Sequence, residues 1–216
     1  MENKPFRIDQ VRPLREGMTI SRSAHLGRTC CVTWFSLGRD TSISRESYDT
    51  SAFYLGAEGL GTFLLGEVPE QVGLGPGQLL AVPGGTLCGA ESKEGTIYTE
   101  IITGKEVIMN NVLKSGQAID LKELITYEEG SIANLDLVKN DTMKFVLMAF
   151  DEGTGLQPHR APGNAIVTAL EGSAVIGYEG TDHQLNAGEC FRFDKNGLHS
   201  VTAQGRFKMS LLLVIE

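Results

Sequence analysis

Side chains able to hold a transition metal or move a proton near neutral pH are scarce in this sequence: four histidines and four cysteines in 216 residues. The histidines are His25, His159, His183 and His199. An imidazole titrates close to neutrality, so it can ligate a metal, bind an anion when charged or shuttle a proton. His25 and His183 read as surface or turn residues. The cysteines are Cys30, Cys31, Cys88 and Cys190. Adjacent cysteines seldom bond each other and no C-x-x-C pair is present to hold zinc, so a reduced, cytoplasmic thiol set is expected. Cys88 reads as a small buried hydrophobe before it reads as a soft ligand or reactive thiol. Arg192 alternates with Phe191 and Phe193. Two large aromatics claim the inward face of that strand, which turns Arg192 outward. The run Gly73-Leu74-Gly75-Pro76-Gly77 has no helix after it to help hold a phosphate, so it is a turn.

The elements that must position these residues occur twice. Glu16-Gly17 recurs as Glu129-Gly130 and Glu58-Gly59 as Glu171-Gly172, both offset by 113 positions. Cys30 to Phe35 matches Met143 to Met148 at the same offset. A long fixed period implies one supersecondary unit duplicated. Short runs rich in Val, Ile, Thr and aromatics, broken by glycine turns, make that unit all-β. In the second copy, Ala174–Tyr178 and His183–Leu185 flank a turn and read as a hairpin. Asp120 to Leu124 predicts a single helical turn capped by Asp120. The expected domains are 1–112 and 113–216, with residues 1–15 laid as an extended arm across the other copy. A net charge of −8 argues against a nucleic-acid surface, which needs clustered Lys and Arg. No apolar run approaches the roughly 18 residues of a membrane span, and the first residues lack a secretory-signal layout.

Each copy resembles the cupin superfamily, whose small jelly-roll barrels carry the motifs G-x5-H-x-H-x3-E-x6-G and G-x5-P-x-G-x2-H-x3-N. Gly153, His159 and Gly172 keep the first spacing, while Ala161 and Ala165 stand at the second His and the Glu positions. Gly188 and His199 keep the second spacing, with Asp194, Asn196 and Ala203 in place of Pro, Gly and Asn. The first copy retains Gly59, Gly77, Pro83 and Gly85, but its ligand positions read Glu46, Tyr48, Ala52 and Cys88. Glu46 and Tyr48 belong at the barrel mouth or in a loop. The resemblance implies two tandem jelly-roll barrels packed as a pseudo-dimer.

It also implies a pocket in the second barrel, where His159 and His199 face one another as ligands of one divalent transition metal (Fe, Mn, Ni, Cu or Zn) or of none. Gln157, Ala161, Asn164 and Ala165 would line that pocket. Gln157 shares the parity of His159 and is a weaker third ligand. Asn164 would need a bulge after Pro162-Gly163 to turn inward. The expected function is small-molecule binding, with metal-assisted oxygenase or isomerase chemistry if a metal is held. The alternative is a metal-free metabolite sensor or a structural cupin. An exposed strand edge on each barrel suggests a homodimer.

Overall fold

The computed structural model describes residues 3–215 and is built almost wholly of antiparallel strands. The chain forms two compact units. In the first, a one-turn helix α1 (Ile8–Val11) precedes β1 (Thr19–Ser23), β2 (Cys31–Leu37), β3 (Thr41–Glu46), β4 (Ala52–Gly59), β5 (Gly61–Leu65), β6 (Glu70–Leu74), β7 (Gln78–Val82), β8 (Cys88–Ser92) and β9 (Thr96–Ile102). The segment that follows holds β10 (Ile108–Met109) and β11 (Ala118–Asp120). One sheet runs β1-β2-β9-β4-β7-β11 and the other β3-β8-β5-β6. Leu37, Tyr54, Phe63, Leu80 and Tyr98 belong to one buried core cluster drawn from both sheets, because each occupies the inward parity of its strand.

The second unit contains β12 (Ile132–Lys139), β13 (Met143–Phe150), β14 (Gly155–Arg160), β15 (Gly163–Tyr178), β16 (Thr181–Asn186), β17 (Cys190–Phe193) and β18 (Leu198–Ile215). β15 and β18 pair along their length. At one end they hold β17 and β13, at the other β16 and β14. In the first barrel the same path is divided, β4 and β5 standing for β15, β8 and β9 for β18. Both barrels are therefore jelly rolls of one plan.

The repeat Glu58-Gly59 and Glu171-Gly172 marks the corner between β4 and β5 and the matching bend within β15. Gly59 has φ +66° and Gly172 φ +73°. A Cβ on Gly59 would lie 2.1 Å from the carbonyl oxygen of Gly95, and one on Gly172 2.0 Å from that of Arg206. No side chain fits there, and an L-residue is disfavoured at that φ in any case.

The expected boundary between 112 and 113 is corrected. Residues 3–7 and 108–110 group with the second barrel, and 111–120 with the first. Open sheet edges recruit them: β10 pairs with β12, and β11 with β7. Phe6 exchanges both backbone hydrogen bonds with Cys190, at 3.0 and 2.7 Å. The expected helical turn is present as a 3-10 turn over Leu121–Leu124, with Leu121 fully buried.

Gly17 has φ +65° with nothing within 4 Å of an added Cβ. Gly17→Ala is expected to lower the unfolding free energy by roughly 1 kcal/mol, the backbone cost alone. Gly172→Ala should cost clearly more. Urea unfolding checks this, and equal losses would rule out the close approach as the reason for the marker.

Candidate functional site

One cross-strand station recurs in the two barrels. In the second, β14 and β18 pair as Leu156↔Val201 and then His159↔His199, so β14 carries one extra residue between the two pairs. This bulge resets the parity and brings His159 beside His199. Their ring centroids are 4.3 Å apart with planes at 54°. His199 is only 7% exposed and stacks on Phe193 at 4.2 Å, while His159 is exposed.

Each Nδ1–H donates to the carbonyl two residues earlier, His159 to Gln157 and His199 to Gly197, both at 2.8 Å. A carbonyl only accepts, so Nδ1 carries a proton, and in the neutral ring Nε2 keeps its lone pair. Burial lowers the pKa of His199 below the usual imidazole value. The Gly197 carbonyl partly opposes this, and the neighbouring His159 adds to it. His199 is thus neutral at pH 7, in the state that ligates a metal or accepts a proton.

The expected lining residues differ in placement. Gln157 is exposed and serves His159 through its main chain. Ala161 is half-buried, and its carbonyl accepts from the Asn196 N–H at 2.9 Å. β15 is regular past Gly163, so Asn164 keeps its outward parity, and its Oδ1 accepts from the Lys195 N–H at 2.9 Å. Ala165 is 1% exposed in a core that Tyr178, Phe191 and Phe193 fill. Ala165 is also the cross-strand partner of Phe193, the ring on which His199 stacks. His183 is a second correction: it lies within β16 opposite the core residue Ile176, with its ring 5.2 Å from Phe191. Its inward parity, shared with Leu185, is the signal that marks it. His25 is exposed. Arg192 leaves the inward face to Phe191 and Phe193, and its Nε pairs with Asp194 at 3.2 Å.

In the first barrel the same station is Glu46↔Cys88, again after a register shift, between Ile43 and Glu46. Behind it lies a cavity of about 20 Å³ lined by Glu46, Tyr48, Tyr54, Cys88, Tyr98 and Glu100 among others. Glu100 is 8% exposed and is the direct cross-strand partner of Tyr54. The Tyr48 hydroxyl donates to its Oε1 at 3.4 Å. Burial pushes Glu100 up to about 7, against the pull of the Tyr48 and Tyr54 hydroxyls and with a further push from Glu46. Burial, then Glu100 and Glu46, pushes Tyr48 up to about 12. Cys88 is pushed up to about 11 by burial, so it is a thiol at neutral pH and unreactive as a nucleophile. Sequence reasoning missed Glu100, Tyr54 and Tyr98. The available signal was a carboxylate two residues after a tyrosine, on one face of the otherwise apolar strand Thr96–Ile102.

Residues 146–215 match the cupin domain family profile. Among solved structures, a Cupin 2 conserved barrel domain protein from Leptotrichia buccalis is 25% identical, with a TM-score of 0.87 over 98% of this chain and 96% of that one. A point mutant of salicylate 1,2-dioxygenase from Pseudoaminobacter salicylatoxidans is 14% identical, with a TM-score of 0.69 over 90% of this chain and 76% of that one. The same enzyme in complex with gentisate is 13% identical, with a TM-score of 0.68 over 96% and 77%. No curated protein matches the chain. The protein has the jelly-roll fold of the cupins in both of its units. The family match lies within the second barrel, and the first barrel repeats its jelly-roll plan.

Two outcomes are expected. A glutamate whose folded pKa lies near 7, above its ordinary value of 4.5, loses fold stability as pH rises between those values. Glu100→Gln cannot ionise, so it should melt with wild type at pH 4 and above it at pH 8, by at most roughly 3 kcal/mol. Identical melting at both pH values would mean that Glu100 is solvated. In nitrogen-15 spectra at pH 7, His199 should show a protonated Nδ1 and a bare Nε2, with a titration midpoint below 6.5.

Proposed function

We propose that the protein is a small-molecule-binding cupin whose recognition element in the second barrel is the His159–His199 pair. The observation that carries this reading is the paired tether: both Nδ1 atoms are held by main-chain carbonyls, which leaves two Nε2 lone pairs on adjacent strands. Imidazole nitrogen suits Zn, Cu, Fe or Ni, and a carbonyl on the far nitrogen is the usual support for a ligating histidine. Among the described residues no group of three or more His, Cys, Asp and Glu side chains gathers to hold a metal. The pair is thus a partial donor set, suited to a divalent transition metal only when a chelating small molecule supplies further donors. A metal bound there would supply Lewis-acid or redox chemistry, and the finer reading is an oxygenase or isomerase of a small metabolite.

A second reading, a metal-free sensor, is favoured by the core position of Ala165 where the family motif has its glutamate. The pair would then accept hydrogen bonds from the ligand. The fold likeness to a dioxygenase determined with gentisate supports small-molecule binding in general and neither reading in particular. The reducing, cytoplasmic setting is part of the same proposal, supported by the four free cysteines.

Metal analysis of protein purified without chelator, followed by calorimetric titration with Zn2+ and Ni2+, separates the readings. Metal binding that is abolished in the double variant His159→Ala, His199→Ala supports the metal reading. A co-purifying organic ligand lost from that variant, with no metal in either protein, supports the sensor. Binding of either kind that survives the double change would overturn the assignment of the site.

A further inference from the structure

We propose that the interior of the first barrel is a second, independent binding site, which takes the ammonium head of a small primary amine with the Glu100 carboxylate as its counter-ion. The hydrogen-bonding character of the cavity sets the class of ligand. Its polar side chains are the carboxylates of Glu46 and Glu100, the hydroxyls of Ser44, Tyr48, Tyr54 and Tyr98, and the Cys88 thiol. Every one of these can accept a hydrogen bond, and no Lys, Arg, His, Asn or Gln lines the cavity. Such a wall has no positive charge for an anion, and its acceptors complement an alkylammonium group, which has three donors and no acceptor.

Charge leads to the same class. Glu100 is 8% exposed, and a buried carboxylate is stable in its ionised form only beside a compensating charge. The cavity lining supplies none. Tyr54, Phe63 and Tyr98 enclose the same space, with centroids 4.8 Å (Tyr54–Phe63), 5.1 Å (Phe63–Tyr98) and 6.0 Å (Tyr54–Tyr98) apart, and aromatic faces attract cations. Volume then decides which cation. About 20 Å³ accommodates one water-sized group, an –NH3+ head, and is too small for a quaternary ammonium. Ser44 and Glu46 are exposed, so the alkyl tail would leave past them.

Glu100 is faced by Tyr48 from the loop after β3, by Tyr54 of β4, by Cys88 of β8 and by Tyr98 of its own strand, with Glu46 at the mouth and Thr33 opposite it on β2. Of Glu100, Tyr48 and Cys88, only Glu100 changes charge between pH 5.5 and 8. Amine binding should therefore strengthen with pH across that range, while an alkylamine, like lysine, stays charged throughout.

The test is a titration of the whole protein with n-propylamine, followed by amide NMR and by calorimetry at pH 8 and pH 5.5, with tetramethylammonium as the size control. Saturable shifts at Tyr54, Cys88 and Glu100 are expected at pH 8, with affinity lower by more than about tenfold at pH 5.5. Glu100→Gln should weaken binding at pH 8 by a similar factor, and the His159→Ala, His199→Ala protein should bind as wild type does. No saturable shift, equal affinity at the two pH values, or an equal response to tetramethylammonium would overturn the proposal. The pH comparison uses the unaltered chain, so it stands even if the Glu100 variant fails to fold.

Discussion

A main-chain contact too close for any side chain governs both barrels. At Gly59 and at Gly172 one strand crosses onto the carbonyl of another, at a backbone angle that L-residues avoid. That crossing lets a single path of chain serve both sheets, so that the inward parity of one sheet continues into the other. The pair Glu58-Gly59 and Glu171-Gly172, in sequence a mere repeat tag, therefore marks a point where the fold accepts no side chain.

With the scaffold held constant, the two copies have divided their chemistry in opposite ways. At the station, imidazoles stand in one barrel where a carboxylate and a thiol stand in the other. In the interior the contrast reverses. The positions corresponding to Tyr54, Tyr98 and Glu100 are Val167, Met209 and Leu211, and Phe191 and Phe193 stand where Leu80 and Val82 do. The second barrel has polar groups at its rim and an apolar core, and the first keeps polar groups inside. Bulk explains why both are stable: the phenylalanines fill the volume that the tyrosines and the cavity occupy in the other copy.

Much of the fold could be read from the sequence, because strand periodicity and an offset repeat are local signals. The two barrels, the short turn after Asp120 and the outward parity of Arg192 were all legible. The domain limits were not, since the pairing of β10 with β12 and of β11 with β7 is a choice among open edges that no local pattern encodes. The His159–His199 pair came from motif spacing, but its surroundings did not. Parity counted from His159 fails across the bulge at Leu156–His159, and counted along β15 it places Asn164 outside as observed. Glu100 escaped notice because a single charged residue in an apolar strand signals a site only once its neighbours are known.

The tether on the imidazoles has an unequal consequence for the chain's freedom to vary. Both rings are oriented by main-chain oxygen, so the identity of the side chain behind each oxygen is in principle immaterial to the chemistry. At position 157 that freedom is real: the side chain is exposed, and almost any residue can supply the carbonyl. At position 197 it is not, because a Cβ there would fall 2.6 Å from the Tyr178 hydroxyl. Two equivalent hydrogen bonds thus rest on one position open to drift and one held fixed, and substitutions among related chains should accumulate beside His159 and be absent beside His199.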